Sequence, residues 1–460
     1  MQATGAVETA QENPAICENP AIPGGRMALL FTVMLITAAG NTAMQSVMPS
    51  IGTHLHIPDV WVSLAYSWSA LLWMTMAPFW ARVSDRRGRK AMMALGLGAF
   101  SLSFALCGAA LLAGLKGVVG GTAAIGLFAL ARSLYGAFGS AAPPAVQAYV
   151  ASRTGRTERT KALSMVASSF GLGTVLGPAL APLLIVPVAG NSGIGLIGPF
   201  AAFTLGALGV TLVLQWRLPG DAPGIDGIAP HRSLQHRSLQ HRAGFGEHGE
   251  TWIQDDAGED DSASGERPGP AGRLRWADPR LSRWLIAGVL GGQAQSIVLG
   301  VIGFLLLDRL GLRHQPDAAA GPIGLVLMCG AIATLLSQWG LIPMLSLGPR
   351  QATAIGMALT LIGVLGIALG HELQAIATGF AIASLGFGLF RPGFTAGTSL
   401  AVSLGEQGQA AGIVAAVNGS AYIVSPAIGV WLYNRNPWLV WTLVEALVIG
   451  VLLLFARRGR

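Results

Sequence analysis

Apolar residues along this chain come in long blocks instead of alternating with polar ones. Twelve blocks read as membrane-crossing helices: 27–50, 60–82, 91–114, 121–149, 161–187 and 194–216, then 283–306, 321–346, 350–370, 373–400, 409–433 and 437–456. A helix of about 20 apolar residues crosses a hydrocarbon core of about 30 Å. These blocks are apolar nearly all round, so periodicity does not say which face meets lipid. Residues 217–282 differ: they are rich in Gly, Pro, Asp, Glu, Arg and His, and include "HRSLQHRSLQHR". Such a segment cannot bury enough apolar surface to fold alone and is expected to be a disordered linker. The pattern predicts an all-α membrane protein of twelve transmembrane helices. Its parts are an N-terminal tail (1–26), a six-helix bundle (27–216), the linker (217–282), a second six-helix bundle (283–456) and a C-terminal tail (457–460).

The two bundles read as a pseudo-symmetric pair. At a constant offset of 248 positions Glu158 meets Glu406, Gly171 meets Gly419 and Pro178 meets Pro426. Parallel repeats with a site between the halves near the bilayer midplane are a transporter architecture.

Composition and charge agree. The 460 residues are 52% hydrophobic and 11% charged, where a soluble domain carries about 25% charge. The net charge of +7 does not mark a nucleic-acid partner, because the basic residues gather in short turns between blocks. "RVSDRRGRK", "SRTGRTERTK" and the terminal "ARRGR" all fall on one side of a twelve-span chain. By the positive-inside rule that side is cytoplasmic, together with both termini and the linker. "DRLGLRHQPD" (Asp308 to Asp317), on the opposite side, runs mildly against the rule. The start of the chain lacks the basic region and short apolar core of a cleaved signal peptide. Cys17, Cys107 and Cys329 are too scattered for a disulfide framework or a metal site. The evenly spaced His231, His236 and His241 read as a small tandem duplication. No nucleophile elbow, phosphate loop, paired carboxylates or zinc spacing is found, so neither an enzyme nor a cofactor is expected.

The sharpest local signal is "FWARVSDRRGRKAMM" (Phe79 to Met93), six charged side chains between apolar runs. A purely anchoring turn, holding to anionic headgroups, accounts for the basic residues but not for Asp85. Gly88 supplies the backbone freedom that a tight turn needs. The spacing resembles the loop 2–3 signature of the major facilitator superfamily, G-x-x-x-D-[RK]-x-G-R-[RK], matched by Asp85, Arg86, Gly88, Arg89 and Lys90, with Ala81 where the family has Gly. The resemblance implies that this cluster is a conformational switch, the aspartate bonding across the interface between halves near the start of span eleven.

Two further stretches resemble the same family. "ALARSLYGAFGSAAPP" places Arg132, with Gly136, inside the fourth block, like the family's span-four R-x-x-x-G pattern, which is associated with proton-coupled transport. An arginine about 16 Å from the start of its span is deep for snorkelling to the surface, and an intramembrane charge marks function by default. "GLGTVLGPALAP" carries Gly173, Gly177 and Pro178, similar to the span-five G-x-x-x-G-P motif of bacterial twelve-span drug:proton antiporters. Glycines four apart make a smooth packing face. Proline bends a helix, and Pro426 echoes the feature in the second half.

The resemblance places spans one, four, seven and ten around a central cavity. Their polar residues are Asn41, Thr42 and Gln45; Arg132 and Tyr135; Gln293, Gln295 and Ser296; and Arg391. None is an acid. The possible protonatable carboxylates are Asp308, at the outer end of span seven, and Glu445, in span twelve. The reading is a secondary transporter of the inner membrane, working as a monomer by alternating access. It drives efflux of a neutral or anionic small solute with protons. Proton-coupled uptake of a small organic anion or peptide is the alternative, and a receptor or scaffold that does not transport is a third.

Overall fold

The computed structural model describes residues 22–154, 156–186, 193–219, 278–403 and 406–456. The regular structure among them is helical throughout, as expected where hydrocarbon offers no partner to a backbone amide. The expected disorder of the linker, the histidine series and Cys17 lie outside the described residues.

The first six spans are Gly24–His54, Asp59–Arg87, Arg89–Leu115, Gly121–Phe138 continued by Ala142–Arg153, Arg156–Leu180, and Gly198–Arg217. The second six are Pro279–Arg309, Pro316–Leu335 continued to Met344, Pro349–Leu369, Leu373–Leu400, Gln407–Ser420 continued by Ser425–Arg435, and Pro437–Ala456. Eleven of these are long and apolar enough to cross a membrane. The 25-residue helix Arg156–Leu180 completes six rods in each half.

Several boundaries differ from the sequence expectation. The second span does not end at 82 but runs as helix through the charged stretch to Arg87, and the third begins at Arg89. Arginine and lysine are good helix formers, so Gly88 makes the reversal by itself, at φ 89° and ψ 144°. That backbone region is essentially reserved for glycine. The seventh span starts at Pro279, four residues before 283, because the Asp278 carboxylate caps it by accepting from the Arg280 N–H at 3.0 Å. The fifth span ends at Leu180, before 187.

Three spans are interrupted where proline withholds an N–H and crowds the preceding turn. The fourth passes through a 3-10 turn at Gly139–Ala141, just ahead of Pro143 and Pro144. The eighth widens to a π turn at Leu336–Leu341, ahead of Pro343. The eleventh breaks between Ser420 and Ser425. Pro426 therefore opens a new helical segment, whereas its repeat mate Pro178 lies inside a helix near its end. The sequence repeat is not matched by the same local backbone at that point.

Small residues set the packing. Spans nine and ten meet through Gly356, Gly363, Gly379 and Gly386; a Cβ on Gly356 would fall 2.6 Å from the Gly386 carbonyl. Such close backbone approach is how membrane helices associate without a hydrophobic drive between them. The halves meet along spans one and eight, five and eight, and two and eleven. Span one also touches span seven, where a Cβ on Gly303 would lie 2.6 Å from Pro49; between spans five and eight, one on Gly324 would lie 2.7 Å from the Pro178 carbonyl.

Candidate functional site

Arg132 is 3% exposed, well inside the N-terminal half. Its Nη2 donates to the Asn41 side-chain oxygen on the first span. The Tyr135 ring lies 4.6 Å from the guanidinium carbon, with Tyr66 at 5.8 Å and Phe104 at 5.9 Å. These distances are those of cation–π contacts, which strengthen when water is excluded. Tyr135 is held in turn by Trp73 and Phe100, at 5.1 and 5.5 Å. Gly136 lets the second span come close: a Cβ there would meet the Ser69 carbonyl at 2.6 Å.

The sequence leaves the cluster without a counter-charge. Between residues 24 and 217 the only acids are Asp59, Asp85 and Glu158, all near helix ends. Among the described residues, Arg132 Nε and Nη1 and the Tyr66 hydroxyl are buried without a hydrogen-bond partner. A cation in this setting normally pairs or touches water. Three unmatched donors and one uncompensated charge make this cluster fit to receive an acceptor or an anion.

The structure brings together only part of the expected set. Asn41 joins Arg132 and Tyr135. Gln45, Gln293, Gln295 and Arg391 are half-buried, and among the described residues no hydrogen bond ties them to that cluster. Ser296 is fully committed inside the C-terminal half: its hydroxyl lies 2.7 Å from the Ala421 carbonyl, at the break in span eleven. Glu445 is half-buried on a twelfth span that packs against spans seven, nine and eleven.

Gly173 and Gly177 face the first span. A Cβ on Gly173 would meet the Leu35 carbonyl at 2.5 Å, one on Gly177 the Ala39 carbonyl and Thr42, and Thr42 Oγ1 reaches the Gly173 carbonyl at 3.4 Å. The motif thus seats the fifth span on the helix that carries Asn41.

At the basic end, Lys90 Nζ donates to the carbonyls of Gln215 and Leu218, 2.8 and 2.5 Å away. These are the last, otherwise unpaired acceptors of the sixth span. Side chains of Asp85 and Arg86 lie outside the described set. At the start of span eleven Arg280 Nη1 and Nη2 donate to Glu406, at 3.2 and 3.1 Å. These bonds, followed by those from Ser403, hold the Glu406 carboxyl below the usual carboxylate range. Sequence reasoning knew Glu406 only as a repeat mate.

The opposite end holds a network that sequence reasoning missed. Arg313 donates to both oxygens of Asp59, at 3.0 and 2.8 Å, and to Asp308 at 2.5 Å. Tyr433 donates to the same Asp308 carboxylate at 2.9 Å. Asp308, a possible protonatable acid in the sequence, is held by both Arg313 and Tyr433. His54 and Asp317 pair beside it at 2.8 Å. The mixed charge of "DRLGLRHQPD" was the available signal.

Comparison with known proteins agrees with this architecture. The Major Facilitator Superfamily model matches residues 30–348. Multidrug resistance protein 2 of Bacillus subtilis (strain 168) is 31% identical over 150 residues, covering 33% of this chain and 34% of the relative. Multidrug resistance protein 1 of the same organism is 28% identical over 158 residues, 34% of this chain and 38% of the relative. The alignments thus span little more than a third of each relative's length. Among solved structures, a D-xylose-proton symporter superposes with a TM-score of 0.68 at 14% identity, covering 95% of this chain and 97% of that one. A bacterial homologue of the human lysosomal transporter Spinster, inward-facing and occupied, gives 0.67 at 12% identity, over 94% and 95%.

Proposed function

The chain belongs to the major facilitator superfamily and is a multi-pass membrane transporter, and we propose that it exports a neutral or anionic small organic solute in exchange for protons. It sits in a bacterial-type inner membrane with both termini and the basic loops cytoplasmic, and it acts as a monomer. The observation that carries this reading is Arg132: buried at 3%, with two guanidinium nitrogens unmatched among the described residues, and with the acids of its half confined to helix ends. A cationic cargo entering beside it would meet like charge in a low dielectric, whereas a carboxylate, a carbonyl or a polar neutral group would supply the missing acceptor. The likeness to two Bacillus multidrug resistance proteins supports export as the direction. Asp85 with Arg86, Gly88 and Arg89 switches between states at the cytoplasmic face, while Lys90 fixes the turn to the end of the sixth span.

The test uses inverted membrane vesicles energised by a proton gradient and matched anionic, neutral and cationic dyes. Gradient-dependent accumulation of the anionic and neutral dyes, lost in Arg132→Ala, is expected. A preference for lipophilic cations with Arg132→Ala still active would overturn the proposal, and uptake confined to right-side-out vesicles would reverse the direction.

A further inference from the structure

The Asp59–Arg313–Asp308–Tyr433 network joins the two halves at the end away from the basic loops. Asp59 opens the second span, in the N-terminal half, and its carboxylate is only 6% exposed. An acid in the first turn of a helix is favoured by the helix dipole. Arg313 stands on a short 3-10 turn, Leu312–His314, between spans seven and eight. Gly311 precedes it at φ 66°, a left-handed conformation that reverses the chain after the seventh span at little steric cost. The guanidinium then presents both nitrogens of its fork to Asp59, the bidentate arrangement that gives an arginine–carboxylate pair its directionality.

The pairing is unequal, and the inequality is informative. Arg313 holds two carboxylates, one from each half, at 2.8 Å from Asp59 and 2.5 Å from Asp308. Separating the halves removes Asp59 alone. Asp308 stays, because it leaves the seventh span on the same side as Arg313 and is fixed by Tyr433, in the second segment of span eleven. Opening therefore never strands Arg313 as an unpaired charge, and Asp59 returns to water at an exposed helix start. Breaking a desolvated pair is costly mainly when it leaves one charge buried and alone, and this arrangement avoids that. The second contact across the halves, His54 with Asp317 at 2.8 Å, flanks the first. Tyr433 also ties the pin to the part of span eleven that lies beyond its break and packs on the second span.

We infer that Arg313 is a partner-exchange pin: it closes this end of the transport path by gripping Asp59 and lets it open by falling back on Asp308 alone. This rests on the chain being an alternating-access transporter and not on the cargo or direction proposed above. Its test reads distance and needs no substrate.

Spin labels on Val118→Cys and Glu372→Cys, exposed positions on loops of opposite halves at this end, report the gap in the full chain, with Cys17, Cys107 and Cys329 replaced by alanine. In purified, detergent-solubilised protein the parent should give mainly the short distance. Arg313→Gln and Asp59→Asn should each raise the ratio of long to short distances by about two- to fivefold, the scale of losing one charged pair at a partly exposed site. The exchanged pair, Asp59→Arg with Arg313→Asp, should fall short of full recovery, since the relocated acid faces Asp308. Asp308→Asn spares the grip on Asp59 but removes the fallback partner, so it should lower the ratio below the parent's; a ratio at or above the parent's would overturn the exchange. An unchanged ratio in monodisperse Arg313→Gln would overturn the inference. If that variant does not purify as a monodisperse species, Asp59→Asn is decisive alone: a shifted ratio sustains the pin and an unshifted one removes it. Failure of the dye experiment with a shifted distance would count against the proposed cargo and leave the pin standing.

Discussion

Ser296 on the seventh span donates a 2.7 Å hydrogen bond to the carbonyl of Ala421, where span eleven breaks. The break leaves this backbone acceptor without a helical N–H to satisfy it. A hydroxyl from a neighbouring helix does so, which is one way an irregular backbone survives at membrane depth. Ser296→Ala should therefore destabilise the protein by about 1–3 kcal/mol, the cost of an unsatisfied buried acceptor. Ser296→Thr, which keeps the hydroxyl, should lose less if its methyl is accommodated. Melting followed by intrinsic fluorescence in detergent compares them, and equal melting of the alanine variant and the parent would show that the carbonyl finds another donor.

Gly177 faces the first span so closely that an added methyl would overlap the Ala39 carbonyl and the Thr42 hydroxyl. Gly209, in the sixth span, has nothing within 4 Å of such a methyl. Gly177→Ala is expected to lower stability by about 1–3 kcal/mol or more, as overpacking does, while Gly209→Ala is neutral or slightly stabilising. Matching melting temperatures for the two variants would remove the packing role assigned to the motif.

Two charged residues of one turn should separate by phenotype. Asp85→Asn is expected to slow transport with normal abundance in the membrane, because an anchoring turn has no use for an acid. Lys90→Met should mainly lower thermal stability, by about 0.5–1.5 kcal/mol, since its ammonium caps the end of the sixth span. Transport rate per molecule and melting temperature, measured on both variants, give the comparison; normal transport by Asp85→Asn would leave only an anchor.

At Arg132, alanine should abolish transport and lysine restore it in part. A point charge can neutralise an anion but cannot reach Asn41 and a second acceptor with a planar fork. Initial rates in energised vesicles provide the readout, and full activity in Arg132→Lys would reduce the site to its charge alone.

Deleting residues 228–261 should leave both expression and transport largely intact, because the remaining residues still connect two six-span halves. Size-exclusion profiles and vesicle transport test it. Loss of folded protein would show that this segment docks on the bundles.

Some features of this transporter follow from chain order alone. Apolar blocks of bilayer length had to become helices, since hydrocarbon satisfies no backbone group from outside the segment. Their number and the polar gap after residue 216 give two six-span halves, and Lys and Arg in alternate turns give the expected orientation. Arg132 stood out for the same reason: a charge far from the end of an apolar block is costly wherever it points. Interruptions before Pro143, Pro343 and Pro426 were legible as prolines but not as breaks. Whether a proline bends a helix or starts a new one depends on which neighbour donates to the freed carbonyls, and Ser296 lies 125 residues from Ala421.

Charge partners were decided only in three dimensions. Nothing in the spacing of Asp59 and Arg313, 254 residues apart, says that they meet, or that Asp308 is already committed to Arg313 and Tyr433. Nor does it say that Lys90 turns to the sixth span, or that Asn41 and Tyr135 are the expected polar residues that reach Arg132 among the described ones. A side chain's local sequence sets what it can bond to. Its actual partner depends on which helices pack side by side, and here that is set by close approach at small residues such as Gly136, Gly177 and Gly303.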